Sequence, residues 1–425
     1  MKFEVALVVW MSRLVTLLVL ILKKPGIFQS LMPKKMCHSS CQDLLKAMIA
    51  FNTVNSNVSG KPDAELALSE FLELQANFLG FSTQRLPVGG RSFNLLVSYL
   101  VSQDAPWLLF ESHLDTVSIE DMTIDPLSGH MKNNRIYGRG ACDTKGSGAA
   151  MLHALRRYAE EPVTPNNIAI VYTVDEEVKK TGVRAFVEQH LPTMNWKPVG
   201  AVIGEPTQLR LVVAHNGVVR WRIQTQGIAA HSSAPRRGLS AISMMIKVLG
   251  VLESHYIPTL EVSHPLTGEA QCSVNVIRGG TQVNIVPATC EVQVDRRVVP
   301  GENVESIIPT VEGLLNELRK KDGKMSVLQT EPDIVFPPLD PNDNQAFIGF
   351  VQETLKEMRL SSDPVGVGFG TNASILNNIG IPTIVIGPGD IAQAHTSDEW
   401  LDLEQLHQGE AVYFNLMRSQ IRVED

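Results

Sequence analysis

Apolar runs of strand length alternate with amphipathic helical segments from about residue 40 onward, and the ends of these runs carry acidic or histidine-bearing segments. Trp107 to Glu111 leads into Ser112-His113-Leu-Asp115, Asn167 to Val174 into Asp175-Glu176-Glu177, and Ala201 to Gly204 into Glu205-Pro206. Asp143 opens the helical pattern of Lys145 to Tyr158, and His395 follows the run Ile384-Val-Ile-Gly-Pro-Gly. Strand–helix alternation of this kind predicts an α/β fold with a largely parallel sheet and helices on both faces. In such sheets ligands gather beyond the carboxyl ends of the strands, so segments far apart in sequence are expected to converge there.

The pattern changes after Leu211. Val218 to Gln226 alternates apolar and polar residues, as in a strand with one wet face. A helix is expected from Ser240 to Glu253, strands at Ser273–Arg278 and Val283–Asp295 joined at Gly279-Gly280, a helix from Asn303 to Lys320 and a strand from Met325 to Gln329. That β-α-β-β-α-β order is ferredoxin-like. The α/β pattern then resumes with a helix from Asn344, a strand at Thr383–Gly387 and a closing helix from Leu403. The expected organisation is an apolar extension over 1–36, a first catalytic part over 37–211, an inserted α+β unit over 212–330 and a second catalytic part over 331–425.

Composition removes several functions. A net charge of -8 over 425 residues argues against a general nucleic-acid binder. The five cysteines are scattered and odd in number, which fits a reducing compartment better than a disulfide framework. Residues 5–22 form an apolar stretch interrupted by Arg13, with no small-residue cleavage site after it. A start placed too early, an uncleaved anchor and a signal peptide all remain open for it. The expected location is cytoplasmic, with membrane anchoring through residues 5–22 as the alternative.

Each acidic segment has a plain reading beside its chemical one. His113 and Asp115 share a face in an extended chain and suit a ligand with its supporting carboxylate, yet the same pair fits a surface loop. Asp175-Glu176-Glu177 crowds three carboxylates, which calls for a cation; a solvated turn before Lys179-Lys180 also accommodates them. Lys145 suits a capping role more than a substrate contact. Taken together, histidines and carboxylates without a cysteine requirement suit a pair of divalent metals, zinc first, and hence a hydrolase.

The full set of motifs is more specific. His113-x-Asp115, Gly140-x-x-Asp143-x-Lys-Gly146, Glu176-Glu177, Gly204-Glu205-Pro-Thr207, His231-Ser-Ser-x-Pro235, Asp295-x-Arg297-x-x-Pro-Gly301 and His395-x-x-Asp-Glu399 occur in this order. The chain from about 40 to 420 thereby resembles the dinuclear zinc aminoacylase and peptidase family of acetylornithine deacetylase and succinyl-diaminopimelate desuccinylase. The resemblance implies a zinc-dependent exopeptidase-like fold whose inserted unit is a lid and dimerisation domain. It implies one metal on His113, Asp143 and Glu205 and a second on Asp143, Glu177 and His395, with two Zn²⁺ expected and Co²⁺ or Mn²⁺ able to replace them. Asp115 would support His113, the Asp143–Thr144 peptide would be cis, and Glu176 would act as general base and then acid. His231 would stabilise the oxyanion from the lid of a partner subunit, and Arg297 with Asn284 would clamp the substrate carboxylate. Read without the resemblance, His231 also fits a loop histidine and Arg297 an exposed strand residue. Strand alternation puts the competing Arg296 with Val292 and Val294, and Arg297 on the face of Asp295. Asn372 stands where relatives often carry an acidic residue, which leaves recognition of a substrate amine open.

The activity implied is hydrolysis of an N-acyl amino acid, in the manner of acetylornithine deacetylase, by a homodimer. A dipeptidase, carboxypeptidase or desuccinylase of the same family is the alternative, and a catalytically silent dimeric scaffold a remote one.

Overall fold

The computed structural model describes residues 38–421. The apolar stretch at 5–22 and the rest of the 1–36 extension lie outside the described residues. Among the described residues no helix is long and apolar enough to cross a membrane.

The larger sheet has eight strands in the spatial order Ser82–Gly89, Ser92–Tyr99, Asn167–Thr173, Trp107–His113, Pro198–Ile203, Thr383–Val385, Val212–His215 and Val365–Val367. Trp107–His113 lies at its centre, parallel to both neighbours. Antiparallel pairing enters at the hairpin formed by the first two strands, at the next junction, and where Val212–His215 meets Thr383–Val385. Asn167–Thr173 is buried along its whole length, as its unbroken apolar run requires. Helices Cys41–Ile49, Lys145–Ala159 and Leu403–Arg418 cover one face, and Thr181–Ala185 with Ala373–Asn377 covers the other. Ser40 and Asp402 cap two of these helices, accepting from the amides of Asp43 and Glu404. On the first face Phe110 is fully buried and meets Tyr413 edge-on at 6.0 Å. Truncating such a side chain to alanine costs about 3–5 kcal/mol.

Ser82–Gly89 is polar enough to escape a reading by hydrophobic pattern, because in this edge strand only Leu86 is buried. A helix over Leu66–Phe78 follows a turn in which Asp63 adopts φ 54°. The helix that starts at Thr181 is α-helical only to Ala185 and then widens into a π-turn over Phe186–His190.

The smaller sheet is antiparallel throughout, in the order Gln271–Gly279, Thr289–Val298, Gly217–Gln226 and Val327–Gln329, with Ile334–Phe336 on the other end of Gly217–Gln226. Val219, Trp221 and Ile223 point inward beneath helices Ala241–Val251 and Ile307–Lys321, while Arg220 and Arg222 face solvent. The strand expected over Val283–Asp295 starts instead at Thr289. Pro287 cannot donate to a ladder, and Ile285–Val286 leaves the sheet to pair with Ala230–His231.

Val212–His215 belongs to the larger sheet, and the chain crosses to the smaller one at Asn216–Gly217. It returns through Phe336–Leu339, where Leu339 donates to the carbonyl of His215 at 3.0 Å. The two crossings touch: a Cβ on Gly217 would stand 2.5 Å from the carbonyl oxygen of Phe336.

Candidate active site

His113 ends the central strand and is buried. Its Nδ1 lies 3.0 Å from the carbonyl oxygen of Asp115, which can only accept, so Nδ1 carries a proton. The Asp115 carboxylate is 3.5 Å from the same nitrogen, and its oxygens accept elsewhere. They take the amide N–H groups of Glu176 and Glu177 at 2.9 and 3.1 Å and Asn55 Nδ2 at 2.8 Å. Asp115 therefore ties the end of the central strand to the acidic turn beyond its neighbour.

Asp143 sits in the loop before helix Lys145–Ala159, and its peptide to Thr144 is cis, as the resemblance implies. Gly140 adopts φ 83°, and a Cβ there would meet the Lys145 side chain at 2.9 Å. Buried Glu399 anchors this loop, accepting from the amides of Gly140, Cys142 and Asp143 at 3.1, 2.8 and 3.1 Å and from Arg139 Nη1 at 2.8 Å. Lys145 turns away and donates to the carbonyl of Phe51 at 2.9 Å, a structural role in line with capping rather than substrate contact.

Asp143 stands between the two histidines. Its Oδ1 is 3.0 Å from His113 Nε2 and its Oδ2 is 3.3 Å from His395 Nε2. Glu205, just past the strand Pro198–Ile203, brings Oε1 to 4.0 Å from His113 Nε2. Glu177 Oε1 lies 3.2 Å from His395 Nε2. Two groups result, His113 with Asp143 and Glu205, and Asp143 with Glu177 and His395, each offering ligand atoms within 4.8 Å of one another. Asp143 belongs to both. The donors are imidazole nitrogens and carboxylate oxygens, which suits borderline-hard divalent metals. Cys142 is buried beside them, but its thiol is directed to the carbonyl of Asp390 at 3.4 Å.

The electrostatics fit a cation-binding site. Burial and then the charge of Asp143 push Glu177 and Glu205 up. Burial opposes ionisation of Asp143 too, but hydrogen bonds from His113 and His395 hold it below the usual carboxylate range. Bonds to Asp143 and then Glu177 push His395 up to about 10. Carboxylates gathered so closely repel one another unless positive charge lies among them.

Glu176, the residue before Glu177, is buried and in contact with Lys180 Nζ. The remaining expected residues stand apart from these two groups. His231 is exposed, its Nδ1 2.7 Å from Ser233 Oγ, and Asn284 is exposed in the turn just before Ile285–Val286, its carbonyl accepting from Ser232. Arg297 is half-exposed and donates from Nε to Asp295 at 2.7 Å. Arg296 is buried on the opposite face against Glu302 and Tyr256, as strand alternation requires. Asn372 is buried and donates to Glu111 at 2.9 Å.

Sequence reasoning gave no role to Asn55, Lys180 or Glu399. Glu399 falls inside a recognised motif, which was its only signal. Asn55 and Lys180 carry none, since one is a loop asparagine and the other half of a lysine pair.

The sequence pattern of peptidase family M20/M25/M40 matches residues 109–419, a stretch that includes both ligand-type groups and the smaller sheet. The chain belongs to this family. As an M20/M25/M40 peptidase it is a hydrolase of amide bonds. Its fold is similar to that of a Staphylococcus aureus tripeptidase, with 21% identity and a TM-score of 0.71, over 89% of this chain and 97% of that one. It is similar also to an M20 family metallo-carboxypeptidase from Sulfolobus solfataricus, at 15% identity and a TM-score of 0.73 over 90% and 99% of the two chains. A third similar structure is a dinuclear metal-binding M20 peptidase from Bacillus subtilis, at 13% identity and a TM-score of 0.66 over 89% and 96%.

Proposed function

We propose that this M20/M25/M40 hydrolase removes the acyl group of an N-acyl amino acid, as acetylornithine deacetylase does. The observation that carries the two-metal chemistry is the placement of Asp143, which offers one carboxylate oxygen to each ligand-type group. His113 and Glu205 would complete one site and Glu177 and His395 the other, with zinc preferred for this donor set. Two such ions, when bound, would polarise the acyl carbonyl and acidify a water. Glu176 takes a proton from the attacking water as its oxygen adds to the acyl carbon. The carbon–nitrogen bond then breaks, Glu176 returns the proton to the leaving nitrogen, and a carboxylate and a free amine result. Arg297 and Asn284 hold the substrate carboxylate, and His231 stabilises the tetrahedral oxyanion.

Exposed His231 suits a role completed by a second copy of the chain. Two features support a homodimer through the inserted unit. Gln271–Gly279 is an edge strand of its sheet, and Ile242 and Ile246 are exposed on helix Ala241–Val251. Cys41, Cys142, Cys272 and Cys290 are free, in keeping with a cytoplasmic setting.

Cleavage of a dipeptide or a C-terminal residue is the second reading, favoured by the tripeptidase and carboxypeptidase among the similar folds. Both readings share the metal chemistry. Purified protein supplied with zinc or cobalt should be assayed on N-acetylornithine, succinyl-diaminopimelate, other N-acyl amino acids and dipeptides. Preference for dipeptides overturns the deacylase reading. Glu176→Gln is expected to abolish turnover at unchanged metal content; near-normal turnover sinks the assignment of the base.

A further inference from the structure

Lys180 is buried and adopts φ 56°, a region where a residue without Cβ is at home and a lysine is not. Its backbone makes the turn before helix Thr181–Ala185. The amide donates to the carbonyl of Asp175 at 2.6 Å, and the carbonyl accepts from the amide of Arg184 at 3.2 Å. A glycine would make that turn with less strain, so the turn does not account for the lysine. The side chain does. It runs under the acidic turn so that Nζ contacts Glu176 Oε1, while the ring of Phe336 lies 5.3 Å from the ammonium. Glu205, Glu111, Asp115 and Asp143 are the other charges acting on it.

Glu176 follows a fully buried strand and stands beside Glu177 among these carboxylates. Its backbone is held by the bond from its amide to Asp115. Repulsion from Asp115, Asp143 and Glu205 favours a rotamer that swings the carboxylate toward solvent. A buried ammonium on one of its oxygens opposes that, through a charge-assisted hydrogen bond in a site of low dielectric. We propose that Lys180 is a positioning residue for Glu176, holding its carboxylate inside the site and facing the Asp143 groups. The proposal rests on the reading of Glu176 as the base. It assigns Lys180 no contact with substrate: Lys180 sets where Glu176 is and takes no part in proton transfer.

The test compares K180M, K180R, K180G and E176Q in the full chain, loaded with zinc or cobalt. The substrate is whichever of N-acetylornithine, succinyl-diaminopimelate, N-acyl amino acids and dipeptides the wild type turns over. K180M is expected to lower kcat about 10- to 100-fold, a part of what a general base contributes, with KM little changed. K180R should recover much of the loss, because it restores a cation. K180G relieves the left-handed backbone but removes the buried cation from Glu176, so its kcat should stay as low as that of K180M. A purely structural lysine predicts the reverse, with K180G active, and that result overturns the proposal. E176Q separates the two readings: E176Q dead with K180M near normal sinks only the proposal, whereas E176Q active sinks the base assignment beneath it. Crystals of the metal-loaded proteins give a readout independent of turnover. Glu176 should keep its contact with Nζ in the wild type and take another rotamer in K180M. A wild-type Nζ beyond about 4 Å from Glu176, or an unmoved Glu176 in K180M, overturns the proposal. If K180M fails to fold, K180R and K180G decide between the outcomes.

Discussion

The carboxylate of Asp115 accepts the backbone N–H of Glu176 at 2.9 Å across 61 positions of chain. One side chain thus locks the end of the central strand to the turn that carries the acidic pair, and the geometry of both ligand-type groups depends on it.

Replacing Asp115 with asparagine puts an amide group where Glu176, Glu177 and Asn55 all present donors. Metal affinity and kcat should each fall about 10- to 100-fold, as happens when an outer partner of a metal ligand is lost. Zinc retention after dialysis against a metal buffer, together with kcat, measures both. Wild-type zinc affinity in D115N would contradict the anchoring role.

Glu399 is buried and joins Arg139 to three amides of the Asp143 loop. Glu399→Ala strands both the guanidinium and those amides, and losing one member of a buried pair costs about 3–5 kcal/mol. Glu399→Gln keeps the shape and should cost less, yet still loosen Asp143. Denaturant titration should rank wild type above E399Q and E399Q above E399A. Equal midpoints for all three would refute the ranking.

Adjacent arginines on one strand should behave in opposite ways. Arg296 is buried against Glu302, so Arg296→Ala leaves a mostly buried carboxylate alone and should destabilise by about 3 kcal/mol. Arg297 is half-exposed on Asp295, and its pair contributes at most about 1 kcal/mol. Arg297→Ala should leave Tm nearly unchanged and raise KM. A fall in Tm matching that of R296A, with KM unaltered, removes Arg297 from the substrate clamp.

His215 couples stability to pH. Its Nδ1 donates to the carbonyl of Asn216 at 3.0 Å, and its Nε2 accepts from the amide of Thr371 at 3.3 Å. A second proton on the ring would remove that acceptor, and burial pushes the imidazole down to about 4. Between about 4 and the ordinary 6.5 the folded form binds fewer protons at this ring than the unfolded chain does, so stability rises with pH across that window. The contribution is complete above 6.5 and is lost as pH falls toward 4. From pH 7 to pH 5 the wild type should lose about 2 kcal/mol more than His215→Gln in urea titrations. Parallel pH profiles for the two proteins would exclude this role.

His113, Glu177 and Glu205 could be read from sequence because each follows an apolar run long enough to be a strand, and the end of a strand is a defined place. Asp143 and His395 had weaker local signals and drew strength from the set. Glu399 had a motif but no role, since its partners Gly140, Cys142 and Asp143 are met only after the chain has closed on itself. Lys179 and Lys180 look alike in sequence; one is exposed and the other buried, and the left-handed backbone of Lys180 makes the difference. The strand expected from Val283 failed for a local reason, Pro287, which the alternating pattern around it masked. Val212–His215 was passed over because it is short and adjoins the change of pattern at Leu211.

The chain leaves the larger sheet at Asn216 and comes back at Pro337 beside the point of departure, with His215 and Leu339 already paired. To the larger sheet, everything between those two points is topologically a single tight turn. Such a junction lets evolution exchange, lengthen or reshape the intervening unit as a cassette, with no strand of the metal-binding half changing its neighbours. The inserted segment can then change while the residues of both ligand-type groups, which lie on either side of it in the chain, stay put.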